Sequence, residues 1–256
     1  MAYSIGLAGK GGTGKTTVAG LLIKYLVEKG KVPVLAVDAD ANANLNEVLG
    51  LEVQETIGDA REEMKKGVAT GMTKNIFMEM KLEQALVEAK GYDLVVMGRP
   101  EGPGCYCAAN TLLTNYLDRL IKNYAYVVVD NEAGMEHISR LTTNNIDLLL
   151  MVSDPSRRGI QAAARIVGLT RELPLNIKRK AFLVNQAKEN QETDIEKSVR
   201  EFGLELSGII PDDPLIREFD LSGKPTTQLT MKSKAVEAAF SFFERILQYE
   251  IIRPRV

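Results

Sequence analysis

The chain has 256 residues, enough to bury a full hydrophobic core, and its 45% hydrophobic and 26% charged residues are ordinary for a globular protein. With 32 basic and 34 acidic side chains the formal net charge is −2, which argues against nucleic acid or an anionic membrane as a partner. Two cysteines cannot build a disulfide framework, and one histidine excludes a poly-histidine metal centre within one chain. Because no signal-peptide pattern or long apolar run is present, we expect a cytoplasmic protein.

Short apolar runs alternate with longer stretches of helical periodicity along the chain. Continuously apolar runs of this kind are typical of strands that are covered on both faces. The predicted strands are residues 3–8, 34–38, 93–98, 126–130, 147–153, 181–185 and 206–210. The predicted helices are residues 15–29, 45–49, 55–66, 77–90, 108–122, 159–171, 194–202 and 232–248. This alternation predicts an α/β fold with a doubly wound, mostly parallel sheet of about seven strands and helices on both faces, forming a single domain over residues 1–256.

The phosphate-binding pattern G-x-x-x-x-G-K-[ST] is met in full by residues 9–16, which read GKGGTGKT. The motif follows the first predicted strand and opens the first predicted helix, which is the context it requires. Lys15 should reach the β- and γ-phosphates, Thr16 should bind Mg²⁺ through its hydroxyl, and Thr17 can donate a further hydrogen bond to phosphate. The residues expected to contact the nucleotide are Gly9, Lys10, Gly11, Gly12, Thr13, Gly14, Lys15, Thr16 and Thr17.

Carboxylates stand at the ends of two further predicted strands, and ligands of parallel sheets bind at that edge. Asp38 and Asp40 lie at the end of the second strand, and Asp130 ends an apolar strand of the Walker B form. Such carboxylates can hold Mg²⁺, mostly through water, or orient an attacking water. Asp38 and Asp130 are the candidate magnesium ligands. The alternative for Asp38 and Asp40 is that they cap the helix that follows.

An extra lysine at position 10 makes the phosphate loop resemble the deviant Walker A loop of the MinD, ParA and nitrogenase iron protein class. The resemblance implies a MinD-like P-loop ATPase that slowly hydrolyses ATP to ADP and phosphate. It implies that Lys10 crosses the interface of an ATP-dependent homodimer to reach the partner's nucleotide. It also implies that Asp40, the second acid of the D-x-D pattern, positions the attacking water. Gly134 fits the glycine that senses the γ-phosphate in this family.

Polar residues after the last two predicted strands are candidates for contacting the base. Asn185 can offer both a donor and an acceptor to a purine edge, and members of the family use an asparagine at this place for adenine. Pro211 and Asp212 resemble the family loop that lies against the base. Since the sequence has no N/T-K-x-D pattern for guanine, ATP is favoured over GTP.

The two cysteines, Cys105 and Cys107, lie on a Gly- and Pro-rich stretch that follows the third predicted strand. A closed tetrahedral site for a soft divalent metal needs four nitrogen or sulfur ligands, and a two-fold dimer would supply four thiolates. Two interpretations therefore stay open, a metal site shared by two subunits and a pair of free thiols. We expect His137 to be structural rather than a metal ligand.

The cysteine pair, the D-A-D pattern at 38–40 and the stretch AGMEH at 133–137 resemble the accessory ATPases that insert nickel into carbon monoxide dehydrogenase and acetyl-CoA synthase. The resemblance runs over essentially the whole chain. It implies that Ni²⁺, or Zn²⁺ in its place, binds at the cysteines across the dimer and that one of those enzymes is the client. One alternative is a MinD- or ParA-like switch without a metal. The other is an electron carrier like the nitrogenase iron protein, although that family places its two cysteines on separate elements.

Overall fold

The computed structural model of the protein describes residues 2–40, 42–67, 71–98, 117–131, 145–170 and 176–248. Within these ranges the strands are β1 Tyr3–Ala8, β2 Val34–Ala39, β3 Leu86–Ala89, β4 Tyr92–Val96, β5 Tyr126–Asn131, β6 Asn145–Ser153, β7 Asn176–Ala187 and β8 Gly208–Pro211. The helices are α1 Lys15–Glu28, α2 Leu45–Leu49, α3 Ile57–Lys66, α4 Lys74–Gln84, α5 Arg157–Leu169, α6 Glu192–Glu201, α7 Pro214–Leu221 and α8 Lys234–Leu247. Residues 117–120 are also helical and lead into the short 3₁₀ helix Ile121–Asn123.

The strands form one eight-stranded sheet in the order β3-β4-β2-β5-β1-β6-β7-β8. β3 pairs with β4 in antiparallel fashion, and the other neighbouring strands of the described sheet pair in parallel. The predicted doubly wound, mostly parallel sheet is therefore confirmed. Because β1 lies in the middle of this order, its carboxyl end opens between β5 and β6, where a ligand of such a sheet binds.

Helices cover both faces of the sheet. On one face α1 and α8 pack over the central strands, and the Tyr25 ring meets the Phe240 ring edge-on at 5.3 Å between centroids. On the other face α3 and α4 pack against β2, β4 and β5, while α5 and α6 pack against β6 and β7. The central strands β1, β2 and β5 are thus buried on both sides, which explains their continuously apolar sequences. No helix in the described part of the chain combines the length and apolar character needed to cross a membrane.

The predicted helix over residues 77–90 is wrong in its second half. α4 ends at Gln84, and Leu86–Ala89 forms β3 instead. The two-residue turn at Lys90 and Gly91 closes a hairpin, and Gly91 adopts the left-handed φ of +88° that such turns require. Pairing with β4 therefore outweighs the local helical pattern. Gly91 is the residue of the sequence that indicates the turn between the two strands.

The helix α7 was not predicted, although its sequence carries a start signal. Asp213 caps the helix by accepting a hydrogen bond from the Leu215 N–H at 2.9 Å, and Pro214 occupies the first helical position. Helix boundaries elsewhere differ by a few residues from the prediction, and β7 begins at Asn176 rather than at 181. Most of the predicted helix 108–122 lies outside the described residues.

Candidate nucleotide site

The phosphate loop occupies the turn between β1 and α1, and neighbouring strands fix its path. A Cβ on Gly9 would clash with the Val152 carbonyl oxygen of β6. Gly14 has a φ of +80°, and a Cβ there would clash with the side-chain amide of Asn185 on β7. The glycines at these two positions therefore allow the loop to lie directly against the carboxyl ends of β6 and β7.

Contacts inside the loop hold its two lysines, Lys10 and Lys15, differently. The buried Thr13 hydroxyl donates a hydrogen bond to the Lys10 carbonyl oxygen at 2.9 Å. Lys15, with 8% of its surface exposed, donates from Nζ to the same carbonyl at 3.3 Å. The Lys15 side chain is thus held against the phosphate loop, as expected for a lysine that binds the nucleotide of its own subunit. The Lys10 side chain is instead exposed to solvent.

Asp38 is fully buried at the carboxyl end of β2. Its carboxylate accepts hydrogen bonds from the Asp40 N–H at 3.0 Å and from the Leu45 N–H at 2.9 Å. Burial raises the pKa of this carboxyl, although these backbone hydrogen bonds oppose the shift. Since Leu45 is the first residue of α2, Asp38 accepts a hydrogen bond from the start of this helix, while Asn44 holds the N-cap position itself. A carboxylate that caps a helix still has lone pairs for water or a cation.

Asp130 is buried at the carboxyl end of β5, and its Oδ1 has no hydrogen-bond partner among the described residues. Its pKa is raised to about 7, chiefly by burial and also by the charges of Asp38 and Asp40, against the opposing effects of the Thr16 hydroxyl and Lys15. A buried carboxylate with one oxygen left unpaired is costly unless a proton or a cation neutralises it. The donor set therefore fits Mg²⁺, which binds proteins through one or two carboxylates and keeps several waters.

Asp40 lies in the loop between β2 and α2. It is partly buried, and its carboxylate accepts a hydrogen bond from the Asn42 N–H at 2.8 Å, which makes a turn rather than a helix cap. Ala43 follows with a φ of +50°, a conformation that residues other than glycine adopt at a cost. Asp40 thus sits in a strained loop close enough to raise the pKa of Asp130 by its charge.

The candidate base-binding residues divide into two groups. Asn185 lies against the phosphate loop, where its Nδ2 donates to the Thr13 carbonyl oxygen at 3.0 Å. Pro211 ends β8, and the Asp212 carboxylate is paired with Arg217 at 2.5 Å. The structure therefore joins Asn185 to the phosphate loop, and base contacts by these three residues stay predictions.

Three residues of this region were missed from the sequence. The Asn131 amide donates to the Leu7 carbonyl oxygen at 2.8 Å and ties the end of β5 to β1. Asp213 accepts hydrogen bonds from Ser233 Oγ at 2.6 Å and from the Ala235 N–H at 3.1 Å, so that it anchors α8 as well as α7. Gln186 has a φ of +61°. The Asp-Pro pair at the start of α7 indicates the capping role of Asp213. The positions of Asn131 and Gln186 depend on strand pairing and could not be predicted from the sequence.

Cys105, Cys107, Gly134 and His137 lie outside the described residues. No three His, Cys, Asp or Glu side chains of the described ranges are arranged to enclose a metal ion, and these ranges do not include the two cysteines.

The stretch that carries the cysteines follows Gly98, and the chain just before it is joined to the nucleotide site. The Met97 N–H donates to the Asp38 carbonyl oxygen at 2.9 Å, and the Met97 carbonyl accepts from the Gly58 N–H of α3 at 2.9 Å. Gly98 has a φ of +66°, and a Cβ there would clash with the Thr56 hydroxyl at the N-terminus of α3. The end of β4 is therefore fixed between the strand of Asp38 and α3.

Comparison with known protein families identifies the class of nucleotide-binding protein to which this chain belongs. A family model described as the CobQ/CobB/MinD/ParA nucleotide binding domain matches residues 5–226. The chain therefore belongs to the CobQ/CobB/MinD/ParA family of nucleotide-binding proteins, and the MinD-like P-loop fold expected from the sequence is confirmed.

Individual relatives are similar over almost their whole length. An uncharacterized ATP-binding protein of Methanocaldococcus jannaschii is 43% identical over 95% of this chain and 98% of its own. The carbon monoxide dehydrogenase accessory protein CooC of Rhodospirillum rubrum is 32% identical over 94% of this chain and 97% of its own. Among solved structures, the MinC:MinD cell division protein complex of Aquifex aeolicus contains a chain with a TM-score of 0.72, 26% identity and 99% coverage of both chains.

Proposed function

We propose that the protein is a dimeric ATPase that binds nickel as cargo through Cys105 and Cys107 of two subunits. Its nucleotide cycle controls delivery of the nickel to a carbon monoxide dehydrogenase or an acetyl-CoA synthase. The similarity to a carbon monoxide dehydrogenase accessory protein over nearly the full length of both chains supports the client class. The cysteine pair in the sequence supports the cargo.

The observation that carries the ATPase half is the buried carboxylate of Asp130 beside the phosphate loop, whose Oδ1 has no hydrogen-bond partner among the described residues. In the proposed reaction the loop N–H groups and Lys15 hold the β- and γ-phosphates, and Asp40 orients the attacking water. The new bond joins the water oxygen to the γ-phosphorus as the bond to ADP breaks. Thr16, Asp38 and Asp130 would hold Mg²⁺, which neutralises phosphate charge when bound.

The observation that links the two halves is the fixed end of β4. Because Met97 is hydrogen-bonded to the backbone of Asp38, the residues that precede the cysteines are attached to a strand of the nucleotide site. A change in the loop after Asp38 therefore has a short covalent and hydrogen-bonded route to the cysteine stretch. Lys10 supplies the second link, because its exposed charge is suited to reach the nucleotide of a second subunit across a dimer interface.

Four thiolates from two subunits complete the proposed cargo site. A square-planar arrangement of four sulfur ligands suits Ni²⁺, and a tetrahedral arrangement suits Zn²⁺. Nickel is proposed because of the client class, and zinc is expected to compete for the same thiolates.

The experiment that tests this proposal is an anaerobic Ni²⁺ titration of the metal-free protein, followed by thiolate-to-metal charge-transfer absorbance. Saturation at one Ni²⁺ per two chains is expected, with no thiolate signal from the Cys105→Ala/Cys107→Ala double variant. The His137→Ala variant is the matched control and should keep the same stoichiometry. Nickel binding that is independent of the cysteines would contradict the cargo role and leave a nucleotide switch.

A second candidate function is a MinD-like switch without a metal, and the 29% identity to the septum site-determining protein MinD of Bacillus subtilis favours it. This candidate requires an ATP-dependent partner surface, such as a membrane or nucleic acid. Co-sedimentation with anionic liposomes or DNA in the presence of ATP would separate it from the nickel proposal. An electron carrier would instead show visible iron–sulfur absorbance after anaerobic purification.

A further inference from the structure

Lys81, near the C-terminal end of α4, binds two carboxylates at once. Its Nζ lies 2.8 Å from Oε1 of Glu55 and 2.8 Å from Oε2 of Glu63. Only 12% of the Lys81 side chain is exposed, and a charge so far withdrawn from water is stable only when it is paired. Hydrogen bonds to Glu55 and Glu63 raise the pKa of Lys81 above its usual value, so the lysine is charged at neutral pH. Lys81 therefore links α4 to α3 and to the residue that comes just before the N-cap of α3.

Glu55 depends on this lysine more than Glu63 does. The Glu55 side chain is 27% exposed, and its Oε2 is buried without a hydrogen-bond partner among the described residues. The Glu63 side chain is 45% exposed, so water can solvate its charge when the lysine is absent. When one partner of a covered ion pair is removed, the remaining charge is left uncompensated, which destabilises its position. Without Lys81, the Glu55 carboxylate would therefore have to turn out towards water.

Glu55 comes directly before Thr56, the N-cap residue of α3, and that cap supports the end of β4. The Thr56 hydroxyl accepts a hydrogen bond from the Asp59 N–H at 3.2 Å, and the Asp59 carboxylate accepts one from the Thr56 N–H at 2.9 Å. A Cβ on Gly98 would lie only 2.3 Å from the same hydroxyl oxygen. The Met97 carbonyl oxygen accepts a hydrogen bond from the first turn of α3 at 2.9 Å. The end of β4 therefore rests on this turn, and Glu55 fixes the chain where the turn begins.

The sequence continues from Gly98 to Cys105 and Cys107. We propose that Lys81 is a positioning residue for these two cysteines. It acts by neutralising Glu55, which holds the first turn of α3 in the place where it supports the start of the cysteine stretch. This inference rests on the cargo half of the proposed function. Residues that orient metal ligands without touching the metal affect metal affinity strongly, because the ligands must reach the ion in a fixed geometry.

The test uses Lys81→Met, which keeps an unbranched side chain and removes the charge. The Ni²⁺ affinity is measured on the full chain under anaerobic conditions by thiolate-to-metal charge-transfer absorbance. In the metal-free protein, the rate at which iodoacetamide alkylates Cys105 and Cys107 is followed by mass spectrometry. Nickel affinity should fall about tenfold, and both alkylation rates should change several-fold. Lys81→Gln keeps a hydrogen-bond donor for Glu55 and should change these quantities in the same direction but less. It replaces Lys81→Met if that variant does not fold.

Second substitutions separate the positioning of the cysteines from a general loss of stability. Lys81→Met/Glu55→Gln removes the uncompensated carboxylate and should restore most of the nickel affinity and of the alkylation rates. Lys81→Met/Glu63→Gln should restore neither, because water already solvates Glu63. The matched control is Lys24→Met, which removes the Lys24–Glu28 ion pair of α1 at a lysine whose side chain is 14% exposed. This control should leave both quantities unchanged, whatever its effect on the midpoint of urea unfolding.

Three outcomes would overturn the inference. Unchanged nickel affinity and alkylation rates in Lys81→Met would show that the lysine does not position the cysteines. Equal rescue by the Glu55 and Glu63 substitutions would show that the effect does not pass through Glu55, and an equal effect in Lys24→Met would assign it to general destabilisation. If the unmodified protein binds no nickel through its cysteines, the cargo half of the proposed function is contradicted instead. The alkylation rates, which need no metal, then still decide on the role of Lys81.

Discussion

Asp38 and Asp130 occupy matching positions on the neighbouring parallel strands β2 and β5, and both side chains are buried. Residues paired in this way point to the same face of the sheet, which here is the face covered by α1. Burial is the main reason that the pKa of Asp130 rises to about 7, and the neighbouring charge of Asp38 adds to the rise, while the Thr16 hydroxyl and Lys15 compensate only in part. In the metal-free protein, a proton on Asp130 therefore stabilises this pair below about pH 7. A bound cation would have the same effect.

The first prediction concerns the stability of the metal-free protein. The pKa of Asp130 is about 7 in the folded state and ordinarily 3.8, so the folded state binds more protons between these pH values. The stabilisation by the neutral carboxyl is present below pH 3.8 and is lost as the pH rises through about 7, at about 1.4 kcal/mol for each pKa unit. Asp130→Asn should therefore unfold at higher denaturant concentration than the unmodified protein at pH 8, and the difference should shrink at pH 5.

Urea denaturation in the presence of a chelator measures this difference. The exposed Asp220→Asn of α7 is the control and should follow the pH dependence of the unmodified protein. The Asp130→Asn variant should also lose magnesium-dependent hydrolysis, as expected of a functional carboxylate that costs stability. A destabilised Asp130→Asn at pH 8 would contradict the account of the carboxylate pair.

The second prediction separates the two lysines of the loop. Lys15→Ala should abolish hydrolysis, because the charge that stabilises the transferred phosphoryl group is removed. Lys10→Ala should still bind ADP, since its side chain is exposed, but should no longer dimerise with a non-hydrolysable ATP analogue. Light scattering after size-exclusion chromatography measures the dimer. The control is Lys90→Ala in the β3–β4 turn at the opposite edge of the sheet, and dimerisation of Lys10→Ala would refute its role in the interface.

The parts of the site that could be predicted from the sequence are those formed by residues that are adjacent in the chain. The phosphate loop has its full motif, and Asp38 and Asp130 stand where apolar strands end, so the order of strands and helices was sufficient to bring them together. Contacts between segments that are distant in the chain could not be predicted from the sequence. The register shift that turns Gln186 towards Gly14 depends on β8, and the anchoring of two helices by Asp213 depends on a serine 20 residues away.

The third prediction tests the role of Asp40. Asp40→Asn keeps an oxygen that can accept the hydrogen bond from Asn42, whereas Asp40→Ala removes it. If Asp40 orients the attacking water, both variants should bind ATP and hydrolyse it at least ~100-fold more slowly. Single-turnover phosphate release and titration with a fluorescent ATP analogue measure the two steps separately. Normal hydrolysis in Asp40→Asn would reduce Asp40 to a turn residue, and loss of ATP affinity would mean that the roles of Asp38 and Asp40 are divided differently.

The fourth prediction addresses coupling between nucleotide and nickel. If the end of β4 transmits the state of the nucleotide site, the Ni²⁺ affinity of the unmodified protein should differ several-fold between ADP and a non-hydrolysable ATP analogue. By linkage, nickel must change the preference between the two nucleotides by the same factor. Gly98→Ala introduces a Cβ that clashes with Thr56 and should displace the start of the cysteine stretch. The ratio of nickel affinities should then fall towards one, while hydrolysis without nickel is retained.

The matched control for this variant is Gly223→Ala. Gly223 has a φ of +65°, almost the same as Gly98, but a Cβ there would meet open space. Both variants therefore carry the same backbone strain, and only Gly98→Ala adds the clash with α3. Anaerobic nickel titrations at saturating ADP and at saturating ATP analogue give the two ratios. An unchanged ratio in Gly98→Ala would mean that the cysteines respond to the nucleotide by a route that does not pass through β4 and α3, and equal effects in both variants would assign the loss to backbone strain alone.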